Sequence, residues 1–306
     1  TIMNKTIVLL APTGQVGFEL NRQLQSLGNV ITVSRGDVDF TNSEAIYQHI
    51  DVMRPDVIVN AAAYTAVDKA ESDQDNAFLL NRDLPHTLAR LSTIHDAWLI
   101  HYSSDYVYPG TGEAPWSELD QPDPQNIYGH SKLEGDLAVE KTASKYLIFR
   151  TSWVYAARGN NFLLSMLKLG QEREKLNIVD DQLGAPTPAR LIATVTALCL
   201  QRVLMSNIGH TYNGIYHLAP RDYTNWYGFA KQIFHEARIK GVRLALKEDG
   251  LTPIASSEYQ TPAARPHNSR LKLDKIESTF NLIMPTWKSQ LSLTLDEWID
   301  INVESK

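Results

Sequence analysis

The first half of the chain alternates short apolar stretches with longer amphipathic ones, and this alternation limits the possible folds more than any other feature. β-Branched residues and leucine predict strands at Lys5–Ala11, Val30–Val33, Val57–Asn60, Trp98–Tyr102 and Tyr146–Arg150. Helical periodicity predicts helices between them, at residues 15–27, 43–53, 73–93 and 127–141. Strands joined by such helices pair in parallel through right-handed crossovers. The sequence therefore predicts an α/β fold with a Rossmann-type doubly wound parallel sheet, whose ligand crevice lies at the carboxyl ends of the strands.

The second half is less regular and predicts a smaller C-terminal substrate-binding lobe. Helices are predicted at residues 161–173, 187–203 and 226–239, and strands at 176–179 and 215–218. Residues 257–270 are rich in proline, serine and arginine, which predicts a loop. We expect residues 1–152 to form the sheet domain and residues 153–306 mainly the lobe. Two segments, at about 176–215 and 285–306, are expected to return to the sheet domain.

Charge and composition argue against several kinds of partner. The 306 residues carry a net charge of −6 without a dense lysine and arginine run, so nucleic acid and anionic membranes are not expected partners. No apolar run reaches the roughly 18 residues of a membrane-spanning helix. The single cysteine, Cys199, cannot form an intrachain disulfide and fits a reducing compartment. The chain starts without a signal-peptide pattern, and Thr1-Ile2 ahead of Met3 look like a cloning remnant, so we expect a cytoplasmic protein.

The turn after the first predicted strand has the composition of a phosphate-binding turn. It reads Ala11-Pro12-Thr13-Gly14-Gln15-Val16-Gly17, which is Gly-x-x-Gly-x-x-Gly with alanine at the first position. Glycine lets the backbone approach a pyrophosphate, and the following helix N-terminus favours negative charge. A tight turn without a ligand is the alternative. Because the turn opens a βαβ series, we expect Thr13 to Gly17 to bind NAD(P), with altered turn geometry at Ala11 but retained binding.

The end of the second predicted strand bears on which dinucleotide is used. An acidic residue there accepts from the ribose 2′-OH of NADH, whereas arginine accommodates the 2′-phosphate of NADPH. The strand ends in Ser34 and Arg35 with no carboxylate at its tip, which favours NADPH and leaves NADH possible. A solvated arginine is the alternative. Asp39 and Phe40 are predicted to flank the adenine, although Phe40 fits ordinary core packing equally well.

The exit of the third predicted strand is also suited to a cofactor. Small side chains at Ala62 and Ala63 let the backbone pass close to a ligand, and Tyr64 and Thr65 follow directly. The hydroxyl of Thr65 can bond to the cofactor. A crowded strand exit without a ligand is the alternative.

Tyr128 and Lys132 are spaced to act together. Residues four apart on a helix lie one above the other, and a nearby ammonium lowers the pKa of a phenol below its usual value of about 10. Ser104, after the fourth predicted strand, can hold the carbonyl oxygen that receives the proton. The pair by itself is a weak signal, because many helices contain this spacing by chance.

Other catalytic patterns are missing from the sequence. The nine histidines show no metal-ligand spacing with cysteine or carboxylates, so no metal is expected. No nucleophile elbow or Walker loop is present, and hydrolase and kinase functions are therefore not expected.

Taken together, these residues resemble the extended short-chain dehydrogenase/reductase superfamily and, within it, the dTDP-4-dehydrorhamnose reductase family. The matching segments are residues 13–17, 54–71, 103–112, 128–132, 150–155, 159–162, 181–187, 214–218 and 265–271. The resemblance implies NADPH-dependent reduction of dTDP-4-dehydro-6-deoxy-L-mannose to dTDP-L-rhamnose, a nucleotide sugar of cell-surface polysaccharide biosynthesis. The hydride would go to C4 of the sugar.

The resemblance also implies a role for individual residues. Tyr128 would give its proton to the alkoxide at C4, while Lys132 would hold the nicotinamide ribose. Ser104 stands where the family usually has threonine and keeps the hydroxyl. The remaining implied contacts are those of Tyr102 with the cofactor, of Asp105 and Trp153 with the sugar, and of Asn161, Gln182 and Arg265 with the thymidine diphosphate.

The sequence departs from the family pattern at Ala11, which replaces a glycine, and at the helix after residues 185–187, and two alternative functions are considered. Some members form a metal-bridged dimer through glutamates, but the corresponding helix here begins Pro188-Ala189-Arg190, and arginine cannot ligate a cation. We therefore expect no metal, and either a monomer or a homodimer. Another nucleotide-sugar epimerase or dehydratase is one alternative, although Tyr106 stands where a dehydratase would have glutamate. A non-catalytic NAD(P)-binding regulatory subunit is the other, although Tyr128, Lys132 and Ser104 are all intact.

Overall fold

Strands and helices alternate through most of the structure, a computed structural model that describes residues 4–302. Thr1-Ile2 and the outer ends of the two predicted domain ranges lie outside the described residues. The strands are β1 (Thr6–Leu10), β2 (Asn29–Val33), β3 (Val57–Asn60), β4 (Trp98–Ser104), β5 (Tyr146–Thr151), β6 (Val154–Tyr155), β7 (Leu176–Val179), β8 (Leu183–Gly184), β9 (Thr187–Pro188), β10 (Gly214–His217), β11 (Thr224–Asn225) and β12 (Leu251–Ile254).

The α-helices begin and end close to the predicted positions in the first half. They are α1 (Gln15–Gln23), α2 (Ser43–Asp51), α3 (Val67–Ala70), α4 (Gln74–Phe78), α5 (Leu84–Ile94), α6 (Ile127–Thr142), α7 (Phe162–Glu172), α8 (Ala189–Met205), α9 (Trp226–Ile239), α10 (Asp274–Phe280) and α11 (Trp287–Asn302). Short 3₁₀ turns occur at Asp105–Val107, Gly209–Tyr212 and Ser256–Glu258.

Six parallel strands form the central sheet, in the order β10-β5-β4-β3-β1-β2. The chain leaves β1 toward β2 on one side and returns to β3 on the other, so the order reverses between β1 and β3. Open α/β sheets bind ligands at the carboxyl ends of the strands beside such a reversal. The predicted Rossmann-type α/β fold is confirmed, and the turn after β1 and the exit of β3 lie at this crevice.

Both faces of the sheet are buried, as a parallel sheet requires. Alternate residues of β1 point to opposite faces: Ile7 and Leu9 belong to one apolar cluster, and Val8 and Leu10 to another. The first cluster contains side chains of α1, α8 and α10, and the second contains side chains of α2, α5 and α6. The helices that carry the predicted site residues are thus fixed against the sheet by fully buried side chains.

The helix predicted at residues 73–93 is interrupted, which corrects the sequence expectation. A π-helical turn at Leu79–Asp83 separates α4 from α5. Pro85 has no N–H to donate to the carbonyl of Asn81, four residues earlier. That carbonyl instead faces α6, where a Cβ added to Gly135 would lie 2.0 Å from it. The close contact between the π turn and α6 therefore accompanies the break.

The second half contains its own apolar cluster and short strand pairs. Strand β7 pairs in parallel with β12, and side chains of α7, α9 and α11 pack together. Helix α8 packs in an apolar cluster of the sheet, and β10 is an edge strand of that sheet. The described part of segment 285–306, in contrast, packs in the lobe, because Trp287, Leu291 and Leu295 of α11 lie in the lobe cluster. The division of the chain at residue 152 stays a prediction.

No helix within residues 4–302 is long and apolar enough to cross a membrane.

Candidate active site

The turn after β1 takes the shape of a glycine-rich phosphate turn. Ala11 adopts a left-handed backbone with φ of 59°, the conformation that the missing first glycine would favour. A Cβ added to Gly17 would lie 1.9 Å from the Ala11 carbonyl oxygen, so α1 starts directly against the end of β1. No described side chain caps the N-terminus of α1 at Gly14. The first N–H groups of this helix are therefore available to an anion. The effect of Ala11 on the turn and on cofactor binding stays a prediction.

The end of β2 carries a carboxylate that the sequence analysis missed. The Asp37 side chain accepts hydrogen bonds of 2.7 Å from the backbone N–H and from the hydroxyl of Ser34. These two bonds lower the pKa of Asp37. Arg35 is exposed beside them. A strand tip with an arginine, a hydroxyl and a carboxylate can contact a ribose hydroxyl as well as a phosphate.

The two residues predicted to flank the adenine differ in their surroundings. Phe40 is buried in the cluster beneath α2, with only 4% of its surface exposed. Asp39 is exposed and accepts from the backbone N–H and hydroxyl of Thr41. Of the two interpretations left open for Phe40, the structure shows core packing.

The exit of β3 is held by an amide that the sequence analysis did not identify. Asn81, in the π turn, accepts from the backbone N–H of Tyr64 and donates to its carbonyl. The same amide donates to the Ser131 hydroxyl on α6 at 2.9 Å. The Tyr64 hydroxyl donates to Asp73, and Thr65 is exposed. Asn81 thus ties the predicted cofactor-binding segment to the helix that carries Tyr128.

Tyr128, Lys132 and Ser104 meet at the carboxyl ends of β4 and β5. Ser104 pairs with Thr151 of β5 in the last register position of the two strands. Helix α6 begins at the N-cap Asn126, whose side chain accepts from Gly129 N–H. A Cβ at Gly129 would lie 2.3 Å from the Tyr106 carbonyl oxygen, so only glycine allows α6 to approach this closely.

The electrostatics of the pair correct one expectation from the sequence. Burial raises the pKa of Tyr128 to about 12, with the Ser104 hydroxyl opposing the shift, although part of the side chain remains exposed. Burial lowers the pKa of Lys132 to about 8. The Lys132 ammonium donates to the Tyr102 carbonyl at 2.6 Å. Tyr128 is therefore protonated at neutral pH, as a proton donor must be.

Asp105 lies deeper than a surface carboxylate and is poised for protonation near neutrality. Burial raises its pKa to about 7, while the nearby hydroxyls of Ser269 and Ser104 oppose the shift. The Ser104 hydroxyl donates to one oxygen at 3.1 Å. The other oxygen, Oδ2, has no hydrogen-bond partner among residues 4–302. Ser269, from the loop predicted at 257–270, is a further buried polar residue that the sequence analysis missed.

Trp153 lies two residues beyond the end of β5 and stacks on a second tryptophan. Its ring centroid is 3.8 Å from that of Trp226. Trp153 has a left-handed backbone with φ of 49°, a strained conformation for this residue type. Gln182 accepts from the Trp226 indole N–H at 3.1 Å, so Gln182 supports the stack. The sequence analysis missed Trp226 because its partner in the stack, Trp153, is distant in the sequence.

The three residues predicted at the diphosphate lie in three separate hydrogen-bond groups. Asn161 caps α7 and donates to Gln15 of the phosphate turn at 2.9 Å. Gln182 also donates to Ser256. Arg265 pairs with Asp68 at 2.9 Å, and its buried Nη1 atom has no partner elsewhere in the described chain.

A cavity of about 190 Å³ lies beside Arg265. Tyr106 forms part of its wall and packs edge-on against Tyr128, with ring centroids 5.5 Å apart. The other polar lining residues are Tyr108, Thr111, Gln125, Asn126, Arg265 and His267. An aromatic wall with one buried guanidinium can hold an anionic ligand that carries a ring.

Arg190 contacts the two carboxylates nearest to it. Its guanidinium lies 3.1 Å from Glu19 of α1 and 2.9 Å from Glu297 of α11. Between residues 4 and 302, no group of three or more His, Cys, Asp or Glu side chains could hold a metal ion.

Similarity to known proteins extends over almost the whole chain. The profile of the RmlD substrate binding domain family matches residues 5–299. The dTDP-4-dehydrorhamnose reductase of Escherichia coli (strain K12) is 45% identical over 295 residues, which cover 95% of this chain and 97% of that protein. A crystal structure of a dTDP-4-dehydrorhamnose reductase from Clostridium acetobutylicum has a TM-score of 0.87 at 33% identity, covering 95% of this chain and 99% of that one.

A second solved structure bears on the cofactor. The dTDP-4-dehydrorhamnose reductase of Bacillus anthracis, in complex with NADP, has a TM-score of 0.86 at 31% identity and covers 96% of this chain and 100% of that one. The resemblance inferred from the sequence motifs is confirmed by these matches. The chain belongs to the RmlD substrate binding domain family, in which these relatives carry the name dTDP-4-dehydrorhamnose reductase.

Proposed function

We propose that the protein reduces the C4 ketone of dTDP-4-dehydro-6-deoxy-L-mannose with NADPH, forming dTDP-L-rhamnose. The observation that carries the proposal is the protonated Tyr128, placed beside Ser104 and Lys132 in a chain 45% identical to a named dTDP-4-dehydrorhamnose reductase. The product would serve polysaccharide biosynthesis.

The residues at the crevice fit a dinucleotide. The left-handed Ala11, the contact made by Gly17 and the uncapped start of α1 form a cradle that a side chain would fill. Arg35 is exposed and can meet a 2′-phosphate, and the Bacillus anthracis relative was solved with NADP. We therefore infer NADPH as the preferred cofactor, which supplies hydride to C4 when it is bound. Asp37 provides an acceptor that a 2′-hydroxyl could use, so NADH also fits.

The protein's part in the reaction is to deliver and stabilise a proton. As C4 becomes an alkoxide, the Tyr128 hydroxyl donates its proton to that oxygen. A pKa of about 12 keeps this proton in place at neutral pH until the more basic alkoxide develops. Lys132, charged below a pKa of about 8, stabilises the phenolate that remains. The Ser104 hydroxyl would then hold the substrate oxygen.

The substrate side combines aromatic surface with buried charge. The stack of Trp153 and Trp226 offers an apolar wall for the deoxysugar. Arg265 has a buried donor atom without a partner in the described structure, and a diphosphate oxygen would satisfy it. Asn161 donates to Gln15 and is better placed to brace the phosphate turn than to bind the substrate.

The dehydratase alternative is disfavoured by the side chain next to Asp105. Tyr106 packs edge-on against Tyr128 and lines the cavity, so a tyrosine occupies the position at which a second acid would be needed. The intact Tyr128, Lys132 and Ser104 likewise argue against a regulatory subunit without activity.

Steady-state kinetics with a matched pair of variants test the proposal. The wild-type protein should oxidise NADPH only when the dTDP-4-keto-6-deoxysugar is present. Tyr128→Phe should lower kcat by about 10²–10⁴-fold while leaving NADPH binding intact, because it removes the general acid alone. Tyr216→Phe removes a buried hydroxyl from the core cluster and should keep kcat within about twofold. Full activity in Tyr128→Phe would disprove the role of Tyr128.

A further inference from the structure

A buried ion pair lies directly behind the catalytic lysine. Asp136 is one helical turn beyond Lys132 on α6, and therefore on the same face of the helix. Its Oδ2 atom accepts from Arg150 Nε at 3.0 Å and from the Ser103 hydroxyl at 2.8 Å. Asp136 is fully buried, and Lys132 and Arg150 are each only 2% exposed. A charge in such a position acts on its neighbours with little screening by solvent.

The second oxygen of Asp136 faces a histidine whose tautomer is set by its other neighbour. Asn60 accepts from Ala62 N–H through its oxygen, so its NH₂ group points to His101 Nδ1 at 3.2 Å. Nδ1 is thus the acceptor, and the proton of the neutral ring is on Nε2. Burial and the nearby Lys132 keep the pKa of His101 well below its usual value, so the ring stays neutral. Nε2 lies 3.8 Å from Asp136 Oδ1, beyond hydrogen-bond distance.

Asp136 lies on the same face of α6 as Lys132, one turn away, and its buried carboxylate carries a negative charge. Burial raises the pKa of Asp136, and the Arg150 guanidinium opposes this. Because arginine stays charged at any ordinary pH, the paired carboxylate is ionised. The titratable and charged groups around it are His101 from β4, Arg150 from β5, Tyr108 from the segment after β4, and Tyr128, Lys132 and Glu140 from α6.

We propose that Asp136 is a positioning residue of the reductase, whose buried carboxylate keeps Lys132 charged beneath Tyr128 at working pH. The role rests on the proposed function, because it assigns Asp136 to the proton transfer of that reaction. The negative charge of Asp136 changes the pKa values of Lys132 and Tyr128 in the direction that this role requires. Asp136 raises the pKa of Lys132 against the effect of burial. It also raises the pKa of Tyr128, which keeps the proton donor loaded.

The pH profile of kcat/KM for the keto-sugar tests this role. Lys132 loses its proton as pH rises through about 8, so the wild-type value should fall above that pH. In Asp136→Asn the ammonium loses a buried negative charge one helical turn away, and the falling limb should move to lower pH by about one unit or more, equivalent to a tenfold change in proton affinity. An unshifted limb would overturn the proposal, because a purely structural defect lowers activity equally at every pH.

Ser103→Ala is the matched control. It removes a hydrogen bond to the same Asp136 oxygen but leaves the charge in place. Its limb should coincide with that of the wild type. A shift as large as that of Asp136→Asn would contradict an effect of charge.

Two further measurements keep the outcome independent of folding and of substrate identity. Asp136→Asn leaves Arg150 buried without its carboxylate partner, which can prevent folding, so the double variant Asp136→Asn/Arg150→Met removes both charges. Its limb should also move to lower pH, but by less than in Asp136→Asn, because the positive charge of Arg150 is removed as well. NMR titration of ¹³Cε-labelled Lys132 in the wild-type protein needs no substrate. A Lys132 that titrates below pH 7 would overturn the proposal, whereas lack of NADPH oxidation by the wild type would overturn the proposed function instead.

Discussion

At the scale of single residues, Ala11 takes a left-handed backbone conformation that glycine would adopt without strain. The backbone keeps the left-handed turn, with φ of 59° and the Ala11 N–H donating to the Val33 carbonyl at 3.0 Å. For an L-residue with a Cβ this conformation costs about 1–2 kcal/mol. Contacts with β2 and α1 fix the conformation of the turn after β1. Ala11 therefore keeps a strained backbone conformation.

Ala11→Gly should relieve this strain. The gain is partly offset by the greater freedom of glycine in the unfolded chain, so the free energy of unfolding should stay the same or rise by up to about 1 kcal/mol. Ala138→Gly, within α6, should lower it by about 1 kcal/mol. Urea denaturation of the two variants measures the difference. A loss in Ala11→Gly as large as in Ala138→Gly would show that Ala11 is not strained.

Among the site residues, those whose role is local were predictable from the sequence. Tyr128, Lys132 and Ser104 were predicted from spacing on a helix and from position at a strand end, and the structure brings them together. Asp136 was available to the same reasoning, since it follows Lys132 by four positions. Trp226, Asn81 and Ser269 were not, because each acts through a partner that is distant in the sequence.

At the scale of elements, the contact between α6 and the π turn decides where Tyr128 and Lys132 lie. The side-chain amide of Asn81 donates to the Ser131 hydroxyl of α6, and the backbone carbonyl of Asn81 faces Gly135, one turn later on α6. The sequence predicted one continuous helix here, since the periodicity of residues 73–93 is helical throughout. Pro85 within this pattern is a local sign of a break, but the pattern could not reveal the π turn, because its shape also depends on the approach of another helix.

Gly135→Ala should separate these two elements. The added Cβ would lie 2.0 Å from the Asn81 carbonyl oxygen, which is backbone and cannot rotate away. We expect a loss of about 1–3 kcal/mol in the free energy of unfolding and a lower kcat, because α6 must move. Gly36→Ala is the control, since its Cβ would meet Ser34 at an ordinary 3.5 Å and should change stability by less than about 0.5 kcal/mol. Equal stability and activity of Gly135→Ala and the wild type would contradict this account.

At the scale of the whole molecule, the proline-containing segment after β4 joins the sheet domain to the lobe. Trp116 donates from its indole N–H to Asn268 and from its backbone N–H to Arg270. Tyr108 stacks on Trp116 and accepts from Arg150 beneath the site. The parallel sheet followed from the β/α alternation, whereas the two-residue strands of the lobe carry too few residues for any periodicity.

The packing of α11 illustrates the same limit. An amphipathic helix shows which of its faces is apolar but not which surface covers that face. Trp287, Leu291 and Leu295 pack in the lobe cluster, where sequence reasoning had placed the segment on the sheet domain. The lobe and the sheet domain nevertheless meet at the proposed site, since Trp153 follows β5 directly and stacks on Trp226 of α9.

The most direct test of the central claim follows the hydride itself. The protein is incubated with NADPH deuterated at the transferring C4 position of the nicotinamide and with dTDP-4-dehydro-6-deoxy-L-mannose, and the sugar product is examined by NMR and mass spectrometry. We expect dTDP-L-rhamnose with one deuterium at C4 of the sugar, and a loss of about 10²–10⁴-fold in its rate of formation in Tyr128→Phe. A product without deuterium at C4, or no oxidation of NADPH, would contradict the proposed reductase.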